Sequence, residues 1–309
     1  MRVDRIPAAG ETLLGSGYRV DFGGKGSNQA VGCARLGARV DFVARIGRDS
    51  FGDMALGLYR DEGIDVTFVK QCAEAPTGVG FIVVEAGSGQ NCIVLDPGAN
   101  ELLTAADVSA AISALRSASV VLTQLEIPVV AAEAALAGGR ASGAATILNP
   151  APVRPLPASV LELVDILTPN ETEARVLTGR APDVSIAPET VAHELIGRGV
   201  KQVVMTLGEN GALVVSASSC TRIPAVPVRA VDTTGAGDAF NAGLATALAR
   251  SASLAEAVEF AIITGAMAVT KDGVIPSLPH RSEVLEFCRA QEIVPPKWLD
   301  SGGTEQLRT

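Results

Sequence analysis

The chain has 309 residues, 48% hydrophobic but only 4% aromatic, and a formal net charge of −9 at pH 7. That length supports one large core, or a core carrying a small accessory sheet. The charge argues against a nucleic-acid partner, which needs basic side chains against its phosphates. No apolar run reaches membrane-spanning length and MRVDRIPAAGET has no secretory hydrophobic region, so a cytoplasmic protein with no membrane partner is expected. Cys33, Cys72, Cys92, Cys220 and Cys288 form no CxxC pair and read mostly as small buried apolar residues in a reducing compartment. His193 and His280 are too few and too isolated for a zinc site.

Residues 1–26 are glycine-rich, strand-like in pieces such as GYRVDF, and end in GGKG. A helical pattern follows from Ser27 to Leu36, with Ser27 as the expected N-cap. VDFVARIG reads as a buried strand, and FGDMALGLYRDEG as a helix closed by Gly63. Residues 77–95 differ in kind: two β-rich runs flank AGSGQN and predict a hairpin. Helices are then expected at 105–116 and 129–138, alternating with the short apolar strands ASVVLTQL, ATILNP, VDILTP and KQVVMTL. The alternation predicts an α/β protein with three layers, α-β-α, around a mostly parallel sheet. The turns QLE, NPA, TPNE and TLGENG fall at the strands' carboxyl ends, where such sheets bind ligands. The last dozen residues read as a frayed tail.

The most informative segment is AVDTTGAGDAFNAG, in which Thr233 to Asp238 runs out of an expected strand into an apolar-periodic helix. Gly235 and Gly237 permit a tight turn whose unpaired N–H groups and helix dipole form an anion hole. Asp238 falls in the first turn, where a carboxylate can orient a hydroxyl and take its proton. The alternative on these residues alone is an ordinary turn with Asp238 helping to cap the helix. Gly23-Gly24-Lys25-Gly26-Ser27-Asn28 is neither a GxxxxGK[ST] loop nor GxGxxG. Its glycines still allow close backbone approach, and Asn28 offers a donor and an acceptor to a hydroxyl pair.

Three segments together resemble the ribokinase family, the PfkB carbohydrate kinases. DTTGAGDAFNAG matches the C-terminal signature, DFGGKGSNQAV at 21–31 the N-terminal signature, and TPNETEA at 168–174 the Asn-x-x-Glu element, over a likeness running from residue 10 to about 287. The resemblance implies transfer of the ATP γ-phosphoryl group to the 5-hydroxyl of D-ribose. A kinase for another small sugar or nucleoside, or a sugar-binding protein with impaired catalysis, is the alternative. Asp238 is implied as the base beside the anion hole of Gly235, Ala236 and Gly237. Gly24, Lys25, Gly26, Ser27, Asn28 and Glu126 are implied around the sugar. Asn170, Thr206, Leu207, Gly208, Glu209, Asn210, Gly211, Gly237, Asp238 and Ile262 are implied around ATP. Glu173 is expected to act on Mg²⁺ through water. Asp232, Thr234, Ala268, Lys271, Gly273 and Ser277 are expected to ligate K⁺.

The implied organisation is a kinase core at 23–76 and 98–290, a β-sheet lid and homodimerisation element at 10–22 and 77–97 covered through Val79 and Ile93, and a tail at 291–309. The family's opening strand, and a sugar-binding aspartate after it, match a region upstream of MRVDRIPAAGET. Asp4 lies too late to replace that aspartate. Either a further in-frame segment is expected before Met1, or the chain as given is expected to bind sugar weakly or not at all.

Overall fold

The computed structural model describes residues 1–88 and 90–300. Its strands are β1 (Arg2–Val3), β2 (Ala44–Gly47), β3 (Val69–Cys72), β4 (Val79–Glu85), β5 (Asn91–Asp96), β6 (Val120–Thr123), β7 (Ala145–Leu148), β8 (Ile166–Leu167), β9 (Gln202–Thr206), β10 (Ala212–Ser216) and β11 (Cys220–Ile223). The main sheet has six strands in the order β11-β10-β9-β8-β7-β6. β6 to β9 are parallel; β10 and β11 return antiparallel. The sheet is thus mixed, because the TLGENG turn is short enough only for a hairpin. β2 and β3 form a separate parallel pair.

Strand periodicity explains the layering. Successive side chains point to opposite faces, so neighbours in sequence enter different cores. Leu148, Leu167 and Val203 pack with Leu136, Val191 and Leu195 of the helices Val129–Ser142 and Pro188–Gly197. Ile147, Ile166 and Val204 instead pack with Phe240, Leu244, Val258 and Ile262 of the helices Ala236–Ala249 and Leu254–Ala268. Both faces are covered, giving the expected three layers. No helix of the described residues is long and apolar enough to cross a membrane.

Several local expectations are corrected. The helix predicted at 105–116 is two short helices, Ala105–Ala110 and Ile112–Ser117. The hairpin at 77–95 is present as β4 and β5, but its third strand is β1, parallel to β4, and not the 13–22 segment. Among the described residues, 13–22 pair with a strand only at the Ser16–Arg2 bridge, and with Leu14 and Tyr18 exposed they bury too little to be held in a ladder. No strand leads into the helix Ala236–Ala249; β11 ends at Ile223, and the chain before Asp232 is instead tied by Val231 N–H to the Val269 carbonyl. The tail is not frayed throughout. Trp298 stacks edge-on against Phe260 at 4.9 Å and Leu299 is fully buried. Residues 301–309 lie outside the described residues.

Candidate active site

The site begins where two helix N-termini meet. The helix Lys25–Arg35 starts two residues before the predicted position, with Gly24 (φ 88°) as its N-cap and Ser27 buried within it. Its cap comes from outside: a Glu126 carboxylate oxygen accepts the Lys25 N–H at 2.6 Å. This helix approaches Ala236–Ala249 so closely that a Cβ on Gly32 would lie 2.6 Å from the Ala242 Cβ. One turn earlier on each helix stand Asn28 and Asp238. That close contact therefore sets the GGKGSNQ loop against the GAGD turn.

Asp238 is 5% exposed, and both of its oxygens are engaged. Asn28 Nδ2 donates to Oδ2 at 2.8 Å, and Gln29 Nε2 donates to Oδ1 at 2.9 Å. Asn28 Oδ1, in the same buried amide, has no partner. An unpaired buried acceptor costs free energy unless a donor arrives. A hydroxyl seated beside Asp238 would supply that donor.

Gly235 caps the helix Ala236–Ala249 in the left-handed region (φ 82°), without a side-chain cap. The helix's own ladder begins only at Ala239 N–H, bonded to the Gly235 carbonyl. The N–H groups of Gly237 and Asp238 precede it, at the positive end of the helix dipole. Asn241 holds the turn from behind, donating to the Gly237 carbonyl at 2.8 Å and accepting from the Thr168 hydroxyl at 2.6 Å.

Glu126 and Glu173 converge on this point from other strand ends. Burial raises the pKa of Glu126, against the lowering effect of the Lys25 N–H and charge, and Asp238 raises it further. Burial likewise raises Glu173, against the Asn170 N–H and the Lys25 charge. Lys25 and Asp238 both lie within electrostatic reach of these two carboxyl groups. Asn170 and Glu173 form a reciprocal capping box on the helix Glu171–Leu177, with bonds of 2.9 and 2.8 Å. The cap uses one Glu173 oxygen and leaves Oε1. Asn170 also bridges Thr206, so the TPNE turn and the turn Leu207–Gly211 sit side by side. Gly208, Glu209 and Asn210 form its short 3-10 turn. Ile262, on the helix Leu254–Ala268, is buried in the core cluster that includes Phe240 and Ile166.

The loops expected to hold K⁺ are adjacent. Asp232 accepts from Thr234 N–H at 2.9 Å and from Gly273 N–H at 3.1 Å. Burial raises its pKa, but those bonds outweigh it and hold the carboxyl below its ordinary range. The Ala268 carbonyl accepts from Lys271 N–H, and the Ser277 hydroxyl is buried and bonded to the Val274 carbonyl. Arg19 ties the 13–22 segment to this loop through Asp272 at 2.8 Å. Asp4, exposed just after β1, stays with the small sheet.

Sequence reasoning missed Gln29, Gln124, Asn149 and Asn241. Asn241 lay inside a quoted motif and its helical spacing from Gly237 was a usable signal. Gln29 lies in DFGGKGSNQAV, Gln124 in QLE and Asn149 in NPA, but no spacing within those segments links the three side chains.

The pfkB family carbohydrate kinase profile matches residues 1–281. The chain belongs to that family. Ribokinase of Haemophilus influenzae is 42% identical over 282 residues, covering 90% of each chain. The crystal structure of ribokinase from Thermotoga maritima superposes with a TM-score of 0.85 at 34% identity, covering 93% of this chain and 94% of that one. An Arabidopsis thaliana ribokinase complexed with ribose and ATP gives 0.83 at 32% identity, covering 92% and 93%. Within this chain the Gly32–Ala242 approach and the Asn28–Asp238 hydrogen bond bring the GGKGSN loop and the GAGD turn together.

Proposed function

We propose that this pfkB kinase is a ribokinase, transferring the γ-phosphoryl group of ATP to the 5-hydroxyl of D-ribose. The observation that carries the reading is the buried Asp238 carboxylate at an uncapped helix start, beside the partnerless Asn28 Oδ1. In the reaction, the ribose 5-oxygen forms a bond to the γ-phosphorus as the bond to the β–γ bridging oxygen breaks, releasing ADP. The hydroxyl proton passes to Asp238. The N–H groups of Gly237 and Asp238, with the Gly235–Ala236 turn, offset the charge on the moving phosphoryl group. Asn28, Glu126 and the Gly24–Ser27 backbone with Lys25 hold the sugar hydroxyls. Asn170 and the turn Thr206–Gly211 face the nucleotide, with Ile262 toward its base.

Mg²⁺ would neutralise phosphate charge. Among the described residues no group of three or more His, Cys, Asp or Glu is placed to cage a metal. The free Oε1 of Glu173 fits contact with the ion through water, as a hydrated cation prefers. K⁺ would sit against the carbonyl-rich loops around Asp232, Thr234, Ala268, Lys271, Gly273 and Ser277 and order the Gly235–Gly237 turn. The enzyme is cytoplasmic, with all five cysteines as free thiols.

The small sheet exposes Phe81 and Val94 on one face and Ile82, Ile93 and Leu95 on the other. A lid covers one face with substrate and the other with a second copy, which makes the protein a homodimer.

The test is ADP release with a panel of pentoses, hexoses and nucleosides, with the phosphorylated carbon read by NMR. Ribose is expected to give the highest kcat/KM and a 5-phosphate product. A nucleoside or hexose outrunning ribose would overturn the assignment.

A further inference from the structure

We infer that Gln29 is a positioning residue for phosphoryl transfer, fixing the Asp238 carboxylate through a buried chain of side-chain amides. Gln29 is 1% exposed on the helix Lys25–Arg35. Its Nε2 donates to Asp238 Oδ1 at 2.9 Å and to Asn149 Oδ1 at 3.1 Å. Its Oε1 accepts from Gln124 Nε2. Asn149 Nδ2 in turn donates to the Thr168 carbonyl at 3.1 Å. The chain is therefore anchored just beyond the carboxyl ends of β6, β7 and β8.

The chain's polarity is what matters chemically. Both Nε2 hydrogens of Gln29 are used, and its oxygen is occupied by Gln124. Flipping the amide would aim an oxygen at the carboxylate and break all three bonds. Gln124 and Asn149 thus force a donor onto Asp238 Oδ1. They also stop rotation about the soft terminal torsion of the aspartate, which side-chain packing alone holds poorly. Asn28 pins Oδ2 and keeps its own oxygen for a substrate hydroxyl. The two adjacent residues divide the work: Asn28 meets the sugar, and Gln29 acts only through Asp238. Carboxylate orientation is worth this machinery because attack needs a narrow near-attack geometry.

This inference rests on Asp238 being the base. The test uses Gln29→Met, which keeps the volume and removes every donor, and Gln29→Glu, which keeps the shape and adds a carboxylate. The measurements are kcat, KM for ATP and ribose, and the melting temperature. The charged groups facing Asp238, namely Glu126, Glu173 and Lys25, are the same in every variant.

In Gln29→Met, kcat falls roughly 10- to 100-fold, the loss of a hydrogen bond to a charged group, with KM for ATP unchanged. In Gln29→Glu kcat falls at least as far, because a carboxylate replaces the donor facing Asp238 Oδ1. Native melting with kcat within threefold of wild type in both variants would overturn the positioning role. If Gln29→Met does not fold, Gln124→Met carries the test: a smaller fall in kcat with KM for ATP unchanged supports the chain, and an unchanged kcat refutes it. Wild-type activity in Asp238→Asn would instead overturn the base assignment, so the two failures are separable.

Discussion

Glu126 joins folding to substrate capture, and its replacement separates the two. Its carboxylate is the only side-chain cap described for the helix Lys25–Arg35, whose N-cap, Gly24, offers none. An N-terminal cap contributes about 1 kcal/mol, and a carboxylate at the positive end of a helix about 0.5–1 kcal/mol more. Burial subtracts from that sum, since it penalises the charged form. The net destabilisation expected for Glu126→Ala is therefore about 1 kcal/mol, and about half that for Glu126→Gln, which still accepts from Lys25 N–H. If the same carboxylate also receives sugar hydroxyls, KM for ribose rises roughly 10- to 100-fold in both variants. The pH dependence has a definite sign. The folded pKa is raised above the ordinary 4.5, so the native state binds this proton more tightly than the unfolded chain does. The stability from that proton is fully present below about pH 4.5 and is lost as pH rises through the raised value. Urea unfolding across pH, with ribose kinetics on the same preparations, measures both effects. Unchanged stability and a ribose KM within twofold of wild type in Glu126→Ala would show that Glu126 neither caps this helix nor holds the sugar.

Gly235→Ala should lower stability by about 1–3 kcal/mol, since alanine is strained at φ 82° and its Cβ would meet Val274 Cγ1 at 2.8 Å. The displaced turn should also cut kcat by about 100-fold, which steady-state assay checks. Turnover should rise when K⁺ replaces a bulky organic cation at equal ionic strength, and no change would remove K⁺ from the loop around Asp232. Light scattering should give twice the chain mass. Ile93→Asp, placing a charge on an exposed face of the small sheet, should shift that mass toward the monomer.

The parts legible in the sequence were those whose causes are local. Alternating short apolar runs and helices announced the layered sheet, and two glycines beside an apolar-periodic run announced the helix start that carries Asp238 in its first turn. The helix start at Lys25 was misplaced because its cap, Glu126, lies 101 residues away, while Ser27 offered a nearby hydroxyl that the fold buries instead. GYRVDF carries strand-forming residues, yet strand formation depends on a partner ladder, and none is offered to 18–22. Gln29 was invisible for the same reason. Its partners Gln124, Asn149 and Asp238 are 95, 120 and 209 residues away, and a glutamine in a helix has no pattern that distinguishes a buried relay from a solvated side chain.

The central claim is that the carboxylate held between Asn28 and Gln29 accepts the proton of the attacking hydroxyl. Ribose-dependent ADP release by Asp238→Asn, in protein that melts like wild type and still binds ATP, tests it most directly. A loss of about 10²–10⁴ in kcat is expected, the range for removing a general base. Turnover within threefold of wild type would contradict it.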